Sequence, residues 1–112
     1  MSLVRHIKTD QFSDSVLRSS VPVLVDFFAP WCPPCRVLSP TLDMLAAEFG
    51  DRIKIVKVNS DDEPELAQQF GVDSLPTLLY FRDGRLVDRS VGVLQIGTLR
   101  SRLERFVGPI AA

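Results

Sequence analysis

Residues 23–36 read VLVDFFAPWCPPCR, and the order of residue types in this stretch decides the fold. Val23 to Ala29 is an almost unbroken apolar run rich in valine and phenylalanine, the pattern of a strand covered on both faces at the centre of a sheet. Just beyond it, Cys32 and Cys35 stand three apart where a helical pattern begins. From about Pro34 to Phe49, Leu38, Leu42, Leu45 and Phe49 recur on one stripe, with Gly50 placed to close the helix. Pro40 lies inside that pattern and removes a backbone donor, which predicts one kinked helix rather than two.

Upstream, Val4 to Ile7 has the composition of a short edge strand. Thr9 and Asp10 offer caps for a helix over 11–18, where Phe12 and Val16 share a face. Downstream, IKIVKVN at 53–59 reads as a strand, and a short helix from about Pro64 to Phe70 ends at Gly71. Strand, helix, strand in this order implies a right-handed parallel crossover. Thr77 to Arg82 and Leu86 to Val91 are strand-like runs joined at Asp83-Gly84, a hairpin signal. A last helix over 98–107 carries Leu99, Leu103, Phe106 and Val107 on one face. The expectation is an α/β fold: a mixed sheet of about five strands with about four helices divided between its faces.

The 112 residues suit one domain, taken here as 1–112, with no repeat or linker-like tract to divide it. Thirteen basic and fourteen acidic residues leave a formal charge of -1, too weak a field to attract a phosphate backbone or acidic lipid. Nucleic acid and membrane are therefore not expected partners. The N-terminal residues include Arg5, Lys8 and Asp10 with no apolar run of signal-peptide length, so the chain reads as cytoplasmic. A small secreted scaffold would carry four or more cysteines; two argue against a framework staple.

The cysteines lie at the carboxyl end of the central strand, where open sheets place their sites. Three apart in the first turn of a helix, they fall within the Cα separation that a disulfide tolerates. Unpaired N–H groups and the positive end of the helix dipole favour a thiolate at Cys32, which marks it as the nucleophile. Cys35, one turn in, is expected to be more enclosed and to resolve the mixed disulfide. Pro33 and Pro34 are tolerated there because first-turn N–H groups lack helical partners. The competing readings are an inert thiol pair and half of a zinc site, for which the lone His6 is the other obvious ligand.

Asp26 interrupts the apolar central strand. A carboxylate there is costly unless it is paired or protonated, so a raised pKa and a role in proton transfer are expected; the alternative is an Asp held by hydrogen bonds or turned to solvent. Lys57, between Val56 and Val58, becomes its charge partner if the two strands are adjacent, and is otherwise a snorkelling surface lysine.

Across essentially its whole length the chain resembles the thioredoxin family, through VDFFAPWCPPC at 25–35, Pro40, Lys57, Asp61, LPTLLYFRDG at 75–84 and Gly92. A C-x-x-C beside a βαβ pattern is itself a known mark of a thioredoxin-like centre. The resemblance implies the thioredoxin fold, with Cys32 attacking, Cys35 resolving, and Asp26 as the buried acid-base group with Lys57 beside it. It implies that Pro76 is a cis-proline shaping the groove where a substrate chain pairs near Leu75. It also implies that Trp31, Pro34, Leu75, Val91, Gly92 and Val93 form the flat apolar platform that receives partner proteins. For Trp31 the alternative is a core aromatic.

Three positions depart from the family pattern. Phe28 stands where tryptophan is common, Pro30 where a small or acidic residue is common, and Pro33 where glycine usually separates the cysteines. The last stiffens the loop and removes a donor, which bears on the reduction potential. A Cys-Pro-Pro-Cys centre also resembles tryparedoxins and nucleoredoxins, whose larger inserts are not found here.

The function implied is protein-disulfide reduction by a monomeric electron carrier without a cofactor of its own, recycled by a flavin- and NADPH-dependent thioredoxin reductase. The alternatives are an exported oxidant or isomerase, and a non-catalytic docking subunit.

Overall fold

A computed structural model describes residues 3–108. Five strands, β1 (Arg5–His6), β2 (Val23–Phe28), β3 (Lys54–Asn59), β4 (Thr77–Arg82) and β5 (Arg85–Val91), form one sheet in the order β1-β3-β2-β4-β5. The first three are mutually parallel, β4 runs antiparallel to β2, and β5 runs antiparallel to β4. The expected strand-helix-strand crossover is present: α1 (Pro33–Phe49) joins β2 to its parallel neighbour β3. Helices α2 (Pro64–Gln69) and α3 (Ile96–Val107) and an N-terminal helical segment complete the fold.

β2 is central, and alternation along it feeds two cores. Leu24 packs with Ile55, Leu78 and Tyr80 under Leu38, Leu42 and Leu45 of α1 and Leu99 and Leu103 of α3. Val23, Val25 and Phe27 point the other way, against Phe12 and Val16 of the N-terminal segment and Leu66 and Ala67 of α2. The predicted stripe of α1 is buried along its length, and the helix runs unbroken through Pro40 to its C-cap at Gly50.

The N-terminal segment differs from expectation. Thr9 and Asp10 lie inside a 3-10 turn (Thr9–Gln11) rather than capping a helix, and a π-type stretch (Ser13–Leu17) follows. The N-cap is Lys8, whose backbone N–H donates to the Gln11 side chain at 2.8 Å. The Thr9 amide and hydroxyl both donate to Glu63 Oε1, so a tertiary contact holds the side chain that local propensity offers for a cap. Elsewhere the differences are at element ends: α1 starts at Pro33, α3 at Ile96 and β5 at Arg85, and Val107 is only half-buried.

The hairpin forms at Asp83-Gly84, both with positive φ (55° and 77°), the mirror-image turn that matches strand twist. Gly84 has a second reason to be glycine. A Cβ there would lie 2.8 Å from the Leu17 carbonyl oxygen, so the turn packs directly on the N-terminal segment.

Candidate active site

β2 ends at Phe28 and the chain turns through Pro30 and Trp31 into α1. Cys32 is the N-cap, held by its own N–H on the Ala29 carbonyl at 3.1 Å, with its sulfur accepting the Cys35 N–H at 3.3 Å. Pro33 and Pro34 occupy the next positions, where an amide would have no helical partner. The Arg36 N–H goes to the Cys32 carbonyl at 3.2 Å. Cys35 is therefore the one first-turn amide directed at the sulfur, the arrangement that favours negative charge on Cys32. The two cysteines are joined as a disulfide, with Cα atoms 5.3 Å apart.

Residue burial does not separate the two cysteines as expected. Cys32 is 3 % and Cys35 4 % exposed, in a cluster with Ala29 against which Phe28 and Leu75 pack. What distinguishes them is the capping bond, which points at Cys32 alone.

Asp26 is fully buried and neither carboxylate oxygen has a hydrogen-bond partner among the described residues, which removes the reading of a carboxylate merely held by hydrogen bonds or turned to solvent. Burial raises its pKa from 3.8 to about 7, against a smaller lowering by Lys57. Lys57 sits opposite Asp26 in the parallel register, so the adjacency anticipated from sequence is present. Contact is not: the Lys57 ammonium donates to Ser39 Oγ on α1 at 2.5 Å and lies 5.2 Å from the centre of the Phe28 ring. Half-buried and bonded to α1, Lys57 is not a freely snorkelling surface lysine either.

Leu75-Pro76 is a cis peptide bond. The buried Pro76 gives its carbonyl to the Gly92 N–H at 2.8 Å, and Gly92 holds φ at 91°, a conformation that suits glycine. Thr77, next along, pairs with Val91 and donates its hydroxyl to the Ser74 carbonyl. Trp31 is no core aromatic: it is 63 % exposed, with its indole N–H on Asp61 Oδ2 at 2.8 Å. It forms one wall of a groove of about 370 Å³ over Cys32, with Pro33, Pro34 and Leu75. Val91 and Val93 are exposed large apolar residues beside Gly92.

Sequence reading missed Ser39, one helical turn after Cys35 and so on the same face of α1, and Ser60, Val72 and Asp73, which also line the groove. The last three come from loops, where no periodicity marks a face. Among the described residues no three His, Cys, Asp or Glu side chains gather where they could hold a metal, and no helix is long and apolar enough to cross a membrane.

Comparison with known proteins bears directly on this centre. The family model described as Thioredoxin matches residues 3–105. The chain belongs to the thioredoxin family. It is 46% identical over 105 residues to Thioredoxin 1 of Synechococcus elongatus, covering 94% of this chain and 98% of that one. Thioredoxin of Haemophilus influenzae is 49% identical over 94 residues (84% and 88% of the two chains), and Thioredoxin M-type, chloroplastic, of Chlamydomonas reinhardtii is 41% identical over 101 residues (90% and 72%). Family membership and a Cys-Pro-Pro-Cys pair at disulfide distance make the chain a thiol-disulfide oxidoreductase that reduces protein disulfides by dithiol-disulfide exchange. Neither the oxidant or isomerase reading nor the docking-subunit reading is favoured by these likenesses.

Proposed function

We propose a division of labour within this thioredoxin-family centre. The reduced Cys32 thiolate attacks one sulfur of a substrate disulfide, forming a mixed disulfide and releasing the other substrate sulfur as a thiolate that takes up a proton. Cys35 then loses its proton and attacks Cys32, forming the intramolecular disulfide and freeing the second substrate thiol. Two electrons pass to the substrate. Asp26 takes the Cys35 proton, and Lys57 tempers its affinity for it. Trp31, Pro34, Leu75, Pro76, Val91, Gly92 and Val93 receive the substrate chain, with Leu75 offering backbone for pairing.

The observation that carries this reading is the single first-turn amide on the Cys32 sulfur, one helix start away from a strand that holds an unpartnered, readily protonated Asp26. A pKa of about 7 suits a group that must both take and return a proton near neutral pH.

We infer further that the chain acts as one domain and as a monomer in the cytoplasm, and that a flavin- and NADPH-dependent thioredoxin reductase returns its disulfide to the dithiol. The test is insulin disulfide reduction coupled to NADPH through such a reductase. NADPH consumption that depends on the chain and vanishes with Cys32→Ser is expected; reduction of the chain by dithiothreitol but not by the reductase would overturn the recycling partner.

A further inference from the structure

Asp26 does not pair with the cation in register beside it. Asp26 alternates with Leu24 and Phe28 on the face of β2 that α1 covers, and Lys57 lies beside it in register on β3. On β4 the paired residue is Leu78; α1 brings the Ser39 hydroxyl, the cysteine thiols once reduced and, one turn beyond Ser39, the exposed carboxylate of Asp43. A buried carboxylate and a half-buried ammonium at paired positions would ordinarily meet, since each offsets the other's desolvation. Instead the ammonium rests on two neutral partners, the Ser39 hydroxyl at 2.5 Å and the Phe28 ring at 5.2 Å, and both Asp26 oxygens go without a bond. Phe28 is itself steadied by the edge of His6, with ring centres 5.2 Å apart.

We propose that Ser39 is a positioning residue: its hydroxyl, with the Phe28 ring, anchors the Lys57 ammonium beneath α1 and keeps it out of an ion pair with Asp26. The ammonium stays near enough to temper the carboxylate without neutralising it, so the proton remains exchangeable. Removing the hydroxyl frees the ammonium, and the buried Asp26 carboxylate stands at the paired position beside it. An ion pair would then favour the charged carboxylate and weaken its hold on the proton.

This inference rests on the acid-base reading of Asp26 for its functional meaning, but its test does not. Asp26 is titrated by carboxyl carbon NMR in the reduced wild type, Ser39→Ala, Ser39→Thr, Lys57→Met and Ser39→Ala/Lys57→Met proteins. Ser39→Ala should lower the proton affinity of Asp26 about tenfold, one unit in midpoint. Ser39→Thr, which keeps the hydroxyl, should restore the wild-type value. In the Lys57→Met background, Ser39→Ala should do nothing, because the effect runs through the ammonium. An unchanged or raised midpoint in Ser39→Ala, or the same shift without Lys57, overturns the proposal. Single-turnover reduction over a pH series separates the two ideas. If the Asp26 midpoint moves and the rate profile of the resolving step does not, Ser39 positions Lys57 but Asp26 is not the proton acceptor.

Discussion

The two faces of β2 are built to different rules. On the face toward the N-terminal segment and α2, every β2 side chain is apolar: Val23, Val25 and Phe27 meet Val56, Val58, Leu79 and Phe81, closed by the Phe12, Phe70 and Phe81 rings 5.3–5.6 Å apart. On the face toward α1, the same strand places Asp26 between Leu24 and Phe28 and opposite Lys57. One face does nothing but exclude water. The other gives up packing for a buried, unpartnered carboxylate with a raised pKa, on the face covered by the helix that starts at the cysteines.

The sharpest break of this comparison is at the cysteines themselves. Cys32→Ser should abolish turnover, while Cys35→Ser should still attack and trap substrates as mixed disulfides, because the capping amide serves the Cys32 sulfur. Mass spectrometry of trapped adducts checks this, and adducts confined to Cys35 would reverse the roles. On the opposite face, Phe27→Ala should lower stability by roughly 3–5 kcal/mol in urea unfolding, since the fully buried ring leaves a cavity its neighbours cannot fill. The folded fraction should still reduce disulfides at the wild-type rate. A slowed chemical step would mean that the two faces are not separable.

Asp26→Ala, one residue along, should have the opposite sign. Between the ordinary carboxylate value and the raised folded value of about 7, the native state holds a proton that the unfolded state has lost. Stability therefore falls as pH rises through that window and levels off above it, by about 4 kcal/mol at most. Removing the carboxyl should stabilise the protein by roughly 2–3 kcal/mol at pH 8, after the small cavity is allowed for, and by less at pH 5. Paired urea unfolding at the two pH values reads it. A variant less stable at both, with an unchanged resolving step, would make Asp26 structural.

Why the α1 face was half legible in the sequence follows from the same contrast. Asp26 announces itself because a charge in a run such as VLVDFFA has no local explanation, and Cys32 and Cys35 because their spacing and place at a strand-to-helix junction have one. The apolar stripes of α1 and α3 and the Asp83-Gly84 turn were equally readable, since period and turn chemistry are local properties. Ser39 was not, for a serine on a helix is ordinary until the strand beneath it is known to carry Lys57. Nor was the near-equal burial of the two cysteines, to which Leu75, forty residues further on, contributes. The N-terminal cap failed for a related reason: Thr9 serves Glu63, a partner across the fold.

The smallest effect asks whether the α1 face tolerates polar groups in general or only unpaired ones at the site. Tyr80 is also fully buried there, but its hydroxyl lies 3.0 Å from Ser90 Oγ, itself buried, and Arg102 sits 5.5 Å over its ring. Burial raises the Tyr80 pKa, so the hydroxyl keeps its proton and the pair is bonded across the physiological range. Removing one partner should then cost stability, not add it: about 1 kcal/mol for Tyr80→Phe, and somewhat more for Ser90→Ala, which strands the deeper hydroxyl. The double variant Tyr80→Phe/Ser90→Ala should be more stable than Ser90→Ala alone, because no donor or acceptor is left without a partner. Urea unfolding of the three variants at one pH measures this. A stabilising Tyr80→Phe would mean that the face penalises any polar atom, and that Asp26 is distinguished by its charge rather than by its missing partner.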